Sequence, residues 1–285
     1  MRKFLASIFM VLLIFLVSCS TPSQTTSENP TLTTESLGAQ ISELSNPYNI
    51  ALFVTADMTT SVGINFELPE DTSGYVEYRE VGDNQFTSIK ASKKIRDFSI
   101  TEAYLYEATL TGLTPDTVYE YRVASEGNTV VGDINEFKTI AENQEEYTFM
   151  FLADPQENAE TGYMAYAYSV LSVMKETDKD IQMVMFPGDL VNDHEVRSQW
   201  NMFFKYSSVF SYNTPLAAAI GNHEIPALYD ESINLLNFDG YMNLPNNGPI
   251  YGNFNDLSGD ARYHTFDNGK TYSFDYGYAH ILVID

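Results

Sequence analysis

A single cysteine, Cys19, stands in the 285 residues, so an intrachain disulfide is excluded whatever compartment the chain reaches. Basic side chains are scarce. Fifteen Lys and Arg face 39 Asp and Glu, a formal charge of −24, and a nucleic-acid backbone is a poor partner for such a chain without cations to bridge the repulsion. Most of that acidity reads as solvated surface, and the rest suits cation recruitment. Long apolar runs are also lacking. The one nearly continuous run, Phe4 to Val17, has 14 residues and is too short to span a bilayer comfortably. What remains, 44% hydrophobic with 14% aromatic residues, is enough for a core and for two domains.

Residues 1–19 read as a targeting segment: Arg2 and Lys3 precede the apolar run, which ends in Leu16-Val17-Ser18-Cys19. The segment resembles a bacterial lipoprotein signal. That implies cleavage before Cys19, a lipid on its sulfur, and an extracytoplasmic protein held to a bacterial membrane by acyl chains. An ordinary secretory signal with an incidental cysteine is the alternative. Residues 20–46, rich in Ser, Thr, Pro, Asn and Gln, are expected to form a flexible linker.

Residues 47–141 read as all-β. Ile50–Ala56, Val62–Glu67, Tyr75–Val81 and Leu105–Leu110 are short strand-favouring runs spaced by turn residues. In Tyr119, Tyr121 and Val123 the alternation turns one apolar face inward after the Pro115-Asp116 turn. This stretch resembles a fibronectin type III sandwich, with Tyr119 in the place of the corner tyrosine, although the usual early tryptophan is absent. Such a module implies a spacer or a substrate-positioning unit.

Glu142–Glu146 is a polar hinge into a second domain, residues 146–285. Three apolar runs there each deliver a polar cluster: Tyr147–Ala153 into Asp154-Pro155-Gln156, Ile181–Phe186 into Gly188-Asp189, and Pro215–Ile220 into Gly221-Asn222-His223-Glu224. Met164, Ala167, Leu171 and Met174 recur at helical spacing between the first two runs, and Ser198 to Phe210 reads as a helix between the last two. A βαβαβ order follows, hence a parallel sheet whose carboxyl ends carry the ligand site. Each cluster alone also fits a turn or a cap. Asp154 and Asp189 are hard anionic oxygen ligands, and Asn222 offers a neutral one.

The clusters in order, with offsets of 35 and 33 residues between Asp154, Asp189 and Asn222, resemble the calcineurin-like metallophosphoesterases, and the preceding sandwich points to the purple acid phosphatase-like branch. The resemblance implies a β sandwich followed by an α/β metallophosphoesterase domain, with two divalent or trivalent metal ions (Fe, Mn or Zn). By the match Asp154 binds one metal, Asp189 bridges both and Asn222 binds the second. His223 serves as proton or hydrogen-bond donor to the phosphoryl or leaving-group oxygen. Asn192 orients water or phosphate beside it. The implied reaction is hydrolysis of small phosphate mono- or diesters by a metal-bridging hydroxide.

Three departures qualify the resemblance. Asn192 stands where the purple enzymes carry a tyrosine, so no ferric-tyrosinate colour is expected. Gln156 stands where many relatives have a metal-binding histidine, and its amide oxygen either coordinates weakly or simply bonds a water. The histidine segments that close the family's site, ending in Gly-His-x-His, have no counterpart, since none of the four histidines follows a glycine. The domain therefore reads as incomplete at its C-terminal side, and this fragment as inactive or weakly active. A noncatalytic surface binding module with a metal-poor remnant is the competing reading. A nuclease fits the metal chemistry but lacks a basic groove. His194, His264 and His280 are expected in an exposed loop, a hairpin and a core strand, and the Asn- and Gly-rich stretch Ile225–Lys270 is expected to face substrate, with a hairpin at Asp267–Gly269.

Overall fold

The computed structural model describes residues 34–98, 101–177, 180–224, 236–248 and 271–284. The targeting segment, His264 and the hairpin expected at Asp267–Gly269 lie outside the described residues, as does most of Ile225–Lys270. Among the described residues no helix is long and apolar enough to cross a membrane.

The stretch expected to be a flexible linker as far as residue 46 is ordered at its end. Helix α1 spans Thr34–Ser42, Ile41 is buried in the main core and Leu44 packs against it. Asn46 is buried as well, donating to the carbonyls of Ile50 (3.0 Å) and Phe204 (3.2 Å). The polar composition hid Ile41 and Leu44, whose spacing is helical.

Eight strands follow: β1 (Ala51–Phe53), β2 (Val62–Leu68), β3 (Gly74–Glu80), β4 (Thr87–Lys90), β5 (Ser92–Phe98), β6 (Thr101–Leu110), β7 (Val118–Ser125) and β8 (Asn135–Lys138). They form two antiparallel faces, β5-β6-β2-β1 and β4-β3-β7-β8, around a core that includes Ile64, Phe66, Val76, Tyr106, Tyr121 and Val123. The Tyr119 hydroxyl accepts the Thr114 amide at 2.8 Å and donates to Glu80 at 3.1 Å, which ties the turn to the sheet as the corner tyrosine of such a sandwich does.

The second half is β9 (Phe149–Phe151), α2 (Glu160–Thr177), β10 (Met183–Phe186), α3 (Arg197–Ser211) and β11 (Leu216–Ala218), then α4 (Leu236–Tyr241) and the hairpin β12 (Tyr272–Tyr276) and β13 (Ala279–Val283). Strands β9, β10 and β11 pair in parallel, with Val184 opposite both Met150 and Leu216. Tyr163, Ala167 and Val170 of α2 and Trp200, Phe203 and Phe204 of α3 bury one face of this sheet. Tyr272 and Phe274 of β12 cover the other.

One feature departs from the expected spacer. The two halves share a sheet, in the order β5-β6-β2-β1-β11-β10-β9, because β1 pairs antiparallel with β2 and parallel with β11. All seven residues of β2 are consequently buried. Its apolar set faces the sandwich core, and its polar set faces the second half: Asn65 donates to the Gly240 carbonyl at 3.3 Å, and Glu67 pairs with Arg197 at the start of α3. Asn49 links the Glu67 carboxylate (2.8 Å) to Asn201 (2.8 Å).

Many tyrosines lie in these cores, which sets a pH limit. Burial pushes Tyr121 and Tyr272 well above the usual phenol range and Tyr163 up to about 12. A phenol whose folded pKa exceeds its unfolded value, about 10, adds stability that is complete below pH 10 and is lost as pH rises through the folded value. Alkaline titration should therefore show buried phenolates appearing, by absorbance near 295 nm, only together with loss of far-UV ellipticity. Complete tyrosine ionisation near pH 10 with unchanged ellipticity would contradict this packing.

Candidate metal centre

The loops that leave β9, β10 and β11 emerge on one edge because the strands are parallel. Backbone bonds hold them together there. Leu152 donates to Met185 O at 3.0 Å, Ala219 to Phe186 O at 2.8 Å, and Gln156 to Asp189 O at 3.2 Å. Gly188, at φ +128°, lies so close to the third loop that a β-carbon would sit 2.7 Å from Gly221 Cα. A β-carbon on Gly221 would sit 2.1 Å from Asp189 Oδ1. The second and third clusters are thus in van der Waals contact, and the first is hydrogen-bonded to the second.

Asp154 and Asp189 both occupy the left-handed region, at φ +47° and +54°. Non-glycine residues there cost on the order of 1 kcal/mol, with Asp among the more tolerant, and such strain gathers at functional sites. Asp154 is exposed and Asp189 half-buried. Asp189 Oδ1 accepts the His223 amide at 2.9 Å, which orients the carboxylate toward the third loop.

His223 Nδ1 lies 2.6 Å from the Asn192 carbonyl. A carbonyl only accepts, so Nδ1 carries the hydrogen and Nε2 is the ring atom left for chemistry. The Asn192 side chain donates to Asn158 Oδ1 at 2.8 Å and so ties the second loop to the first. Asn222 is exposed beside His223.

Gln156 Oε1 is buried with no hydrogen-bond partner among the described residues. Leaving a buried amide oxygen unpaired costs roughly 1–3 kcal/mol, and a cation or a metal-bound water relieves it. Among the described residues no three His, Cys, Asp or Glu side chains gather to hold a metal. The candidate donors read from the sequence are two carboxylates, Asp154 and Asp189, with amide oxygens of Asn222 and Gln156. Oxygen donors of this kind fit hard cations.

The residue that sequence reasoning left without a role is Glu224. Its side chain is fully buried at 0% exposure, and burial raises its pKa although four backbone amides oppose the shift. The available signal was its place beside Asn222 and His223, since a carboxylate at a strand end inside a core requires donors. Two other histidines, His194 and His280, differ from expectation. His194 is buried in the second loop, and its carbonyl accepts Trp200 Nε1 (2.9 Å) and Asn237 Nδ2 (2.8 Å). His280 sits on β13 but is exposed, paired with Asp275 at 2.6 Å. Tyr241, within the stretch expected to face substrate, is buried and stacks on Trp200 at 4.8 Å.

Comparison with known proteins agrees with this architecture. The purple acid phosphatase N-terminal domain matches residues 47–139, and the calcineurin-like phosphoesterase family matches residues 129–283. A purple acid phosphatase from yellow lupin (Lupinus luteus) superimposes with a TM-score of 0.62 at 16% identity, over 83% of this chain and 45% of that one. The chain thus spans less than half of that relative. The sensor domain of an anti-sigma factor from Pseudobacteroides cellulosolvens aligns at 22% identity over 34% of this chain and 97% of its own, with a TM-score of only 0.24. Since the phosphoesterase match covers more than half of the 285 residues, the chain belongs to the calcineurin-like phosphoesterase family and carries a purple acid phosphatase N-terminal domain ahead of it.

Proposed function

We propose that this chain belongs to a metal-dependent phosphoesterase that hydrolyses small phosphate mono- or diesters. The observation that carries the reading is the meeting of three strand-end loops, with the His223 amide on Asp189 Oδ1 and the Gln156 amide on Asp189 O. Asp154, Asp189, Asn222 and Gln156 would hold the cations. Bound cations would supply activation of water and neutralisation of phosphoryl charge.

The chain's own groups account for the proton. With Nδ1–H engaged by the Asn192 carbonyl, a protonated His223 can give its Nε2 hydrogen to the departing oxygen as the phosphorus–oxygen bond breaks, while water's oxygen joins phosphorus and the proton that water loses passes to solvent, from which His223 is reprotonated. Asn192 then acts through its carbonyl on His223, while its amide is occupied by Asn158. The net charge of −24 favours a small ester over a nucleic-acid backbone.

Within this reading Mn, Fe(II) or Zn are the candidate ions, and the all-oxygen donor set favours Mn among them. The test is hydrolysis of p-nitrophenyl phosphate and of its bis ester by the protein with added Mn²⁺, compared with Asp189→Asn. The expected result is metal-dependent turnover that falls about 100-fold in the variant, as misplacement at a reacting centre does. Equal turnover in both proteins would refute the assignment. Mn²⁺ binding without turnover would favour the noncatalytic reading.

Attachment to a bacterial membrane through a lipid on Cys19 is part of the proposal and rests on Leu16-Val17-Ser18-Cys19. Labelled palmitate should enter the protein in bacterial cells and not its Cys19→Ser variant. Equal labelling of both would sink the lipid site.

A further inference from the structure

The Glu224 carboxylate gathers four backbone amides from two loops. Its Oε2 accepts Asp189 N at 2.9 Å and Gly221 N at 2.8 Å, and its Oε1 accepts Leu190 N at 2.7 Å and Val191 N at 3.3 Å. Its own amide donates to Gly221 O at 3.2 Å. Taking a carboxylate out of water costs several kcal/mol, and only donors of this number and quality offset it. An apolar side chain of the same size would fill the space and leave four amides unpaired, those of Leu190 and Val191 fully buried.

Three of those amides are consecutive, Asp189, Leu190 and Val191. Wrapping successive N–H groups around one anion makes an anion-binding concavity, a geometry that needs a turned, left-handed backbone. Asp189 has that conformation, at φ +54°. The same carboxylate holds Gly221, whose neighbours Asn222 and His223 carry the third loop's chemistry. We infer that Glu224 is a positioning residue: through these four amides it holds Asp189 in its left-handed conformation and locks the second and third loops in one register. The metal-binding consequence rests on the phosphoesterase reading, whereas the backbone consequence does not.

Glu224→Gln is the sharp variant, since each carboxylate oxygen faces two N–H donors and the amide NH₂ would meet two of them donor to donor. Val76→Ala, in the sandwich core at 0% exposure, serves as a comparison of matched destabilisation. In wild-type protein the Leu190 and Val191 amides should exchange with deuterium as slowly as strand amides. In Glu224→Gln they should exchange at least 10-fold faster, and Mn²⁺ affinity by calorimetry should fall about 10- to 100-fold, the usual cost of losing a residue that orients a ligand. Val76→Ala should move neither quantity. Fast exchange of Leu190 and Val191 in the wild type would overturn the inference even if the variant failed to fold. So would a folded Glu224→Gln with wild-type exchange and Mn²⁺ affinity. Absence of Mn²⁺ binding by the wild type, with the exchange pattern as expected, would sink the phosphoesterase reading and leave the clamp standing.

Discussion

Residues 142–285 expressed without the sandwich are expected to be insoluble or molten, with no cooperative thermal transition, whereas residues 34–285 fold. The reason lies in β1, whose two faces belong to two cores. Ala51 and Phe53, both at 0% exposure, pack with the helices of the second half, while Ile50 and Leu52 pack in the sandwich. Excision strips β11 of a ladder partner, since Phe53 stands opposite Leu216 and Val54 N donates to Leu216 O at 3.0 Å. It also removes Glu67 from Arg197 and the Tyr121 hydroxyl from the Tyr212 carbonyl, 2.8 Å away. Phe53→Ala alone should cost about 3–5 kcal/mol. Domains of this kind have only about 5–15 kcal/mol to lose. In the intact chain that single substitution should lower the melting temperature by roughly 10 °C. Circular dichroism melting and dye binding to exposed apolar surface decide the matter. A soluble 142–285 fragment melting cooperatively within about 10 °C of the longer chain would show that the sandwich is a detachable spacer after all.

How far the chain could be read in advance depended on whether a segment's surroundings were local. The βαβαβ order was legible because each apolar run has its own period and a polar cluster at its end. Asp154, Asp189 and Asn222 were read in the same way, each from the polar cluster at the end of its run. The inward face of α2 was found with a small rotation: Tyr163, Ala167 and Val170 are the most buried, with Met164, Leu171 and Met174 at the flanks. What the sequence leaves illegible is set by distant partners. Gly63, Asn65 and Glu67 alternate as a solvent face would, yet α3, α4 and the chain after α4 cover them. Strands β4 and β5 are polar and charged, so no apolar alternation announces them, and pairing with β3 and β6 creates them. His194 and His280 were misplaced for a related reason. A loop histidine is buried when helices close over its loop, and a strand histidine is exposed when its face has nothing against it. Glu224 shows the same limit at the site, because its role depends on amides about 35 residues upstream.

On the proposed phosphoesterase reading, Gly221→Ala is expected to disable the site about as fully as Asp189→Asn does. The added β-carbon would lie 2.1 Å from Asp189 Oδ1 and 2.2 Å from Asp189 N. In an open loop the carboxylate oxygen can swing aside, but the backbone nitrogen cannot, because Glu224 Oε2 holds it at 2.9 Å. Relief requires the second and third loops to part, which breaks the Gly221–Glu224 bond and the His223–Asp189 bond together. Overpacking of this severity costs about 3 kcal/mol, so the melting temperature should fall by up to about 10 °C while the sandwich stays folded. Displacing Asp189 by even about 1 Å costs roughly 100-fold in rate, and metal affinity should fall in parallel. Gly112→Ala is the comparison that isolates geometry from glycine loss: that residue also has a positive φ, +70°, but nothing lies within 4 Å of its added β-carbon. It should cost about 1 kcal/mol of stability and leave Mn²⁺ affinity intact. If Gly221→Ala binds Mn²⁺ as tightly as Gly112→Ala does, the two loops are not in the contact that brings Asp189 and Asn222 together.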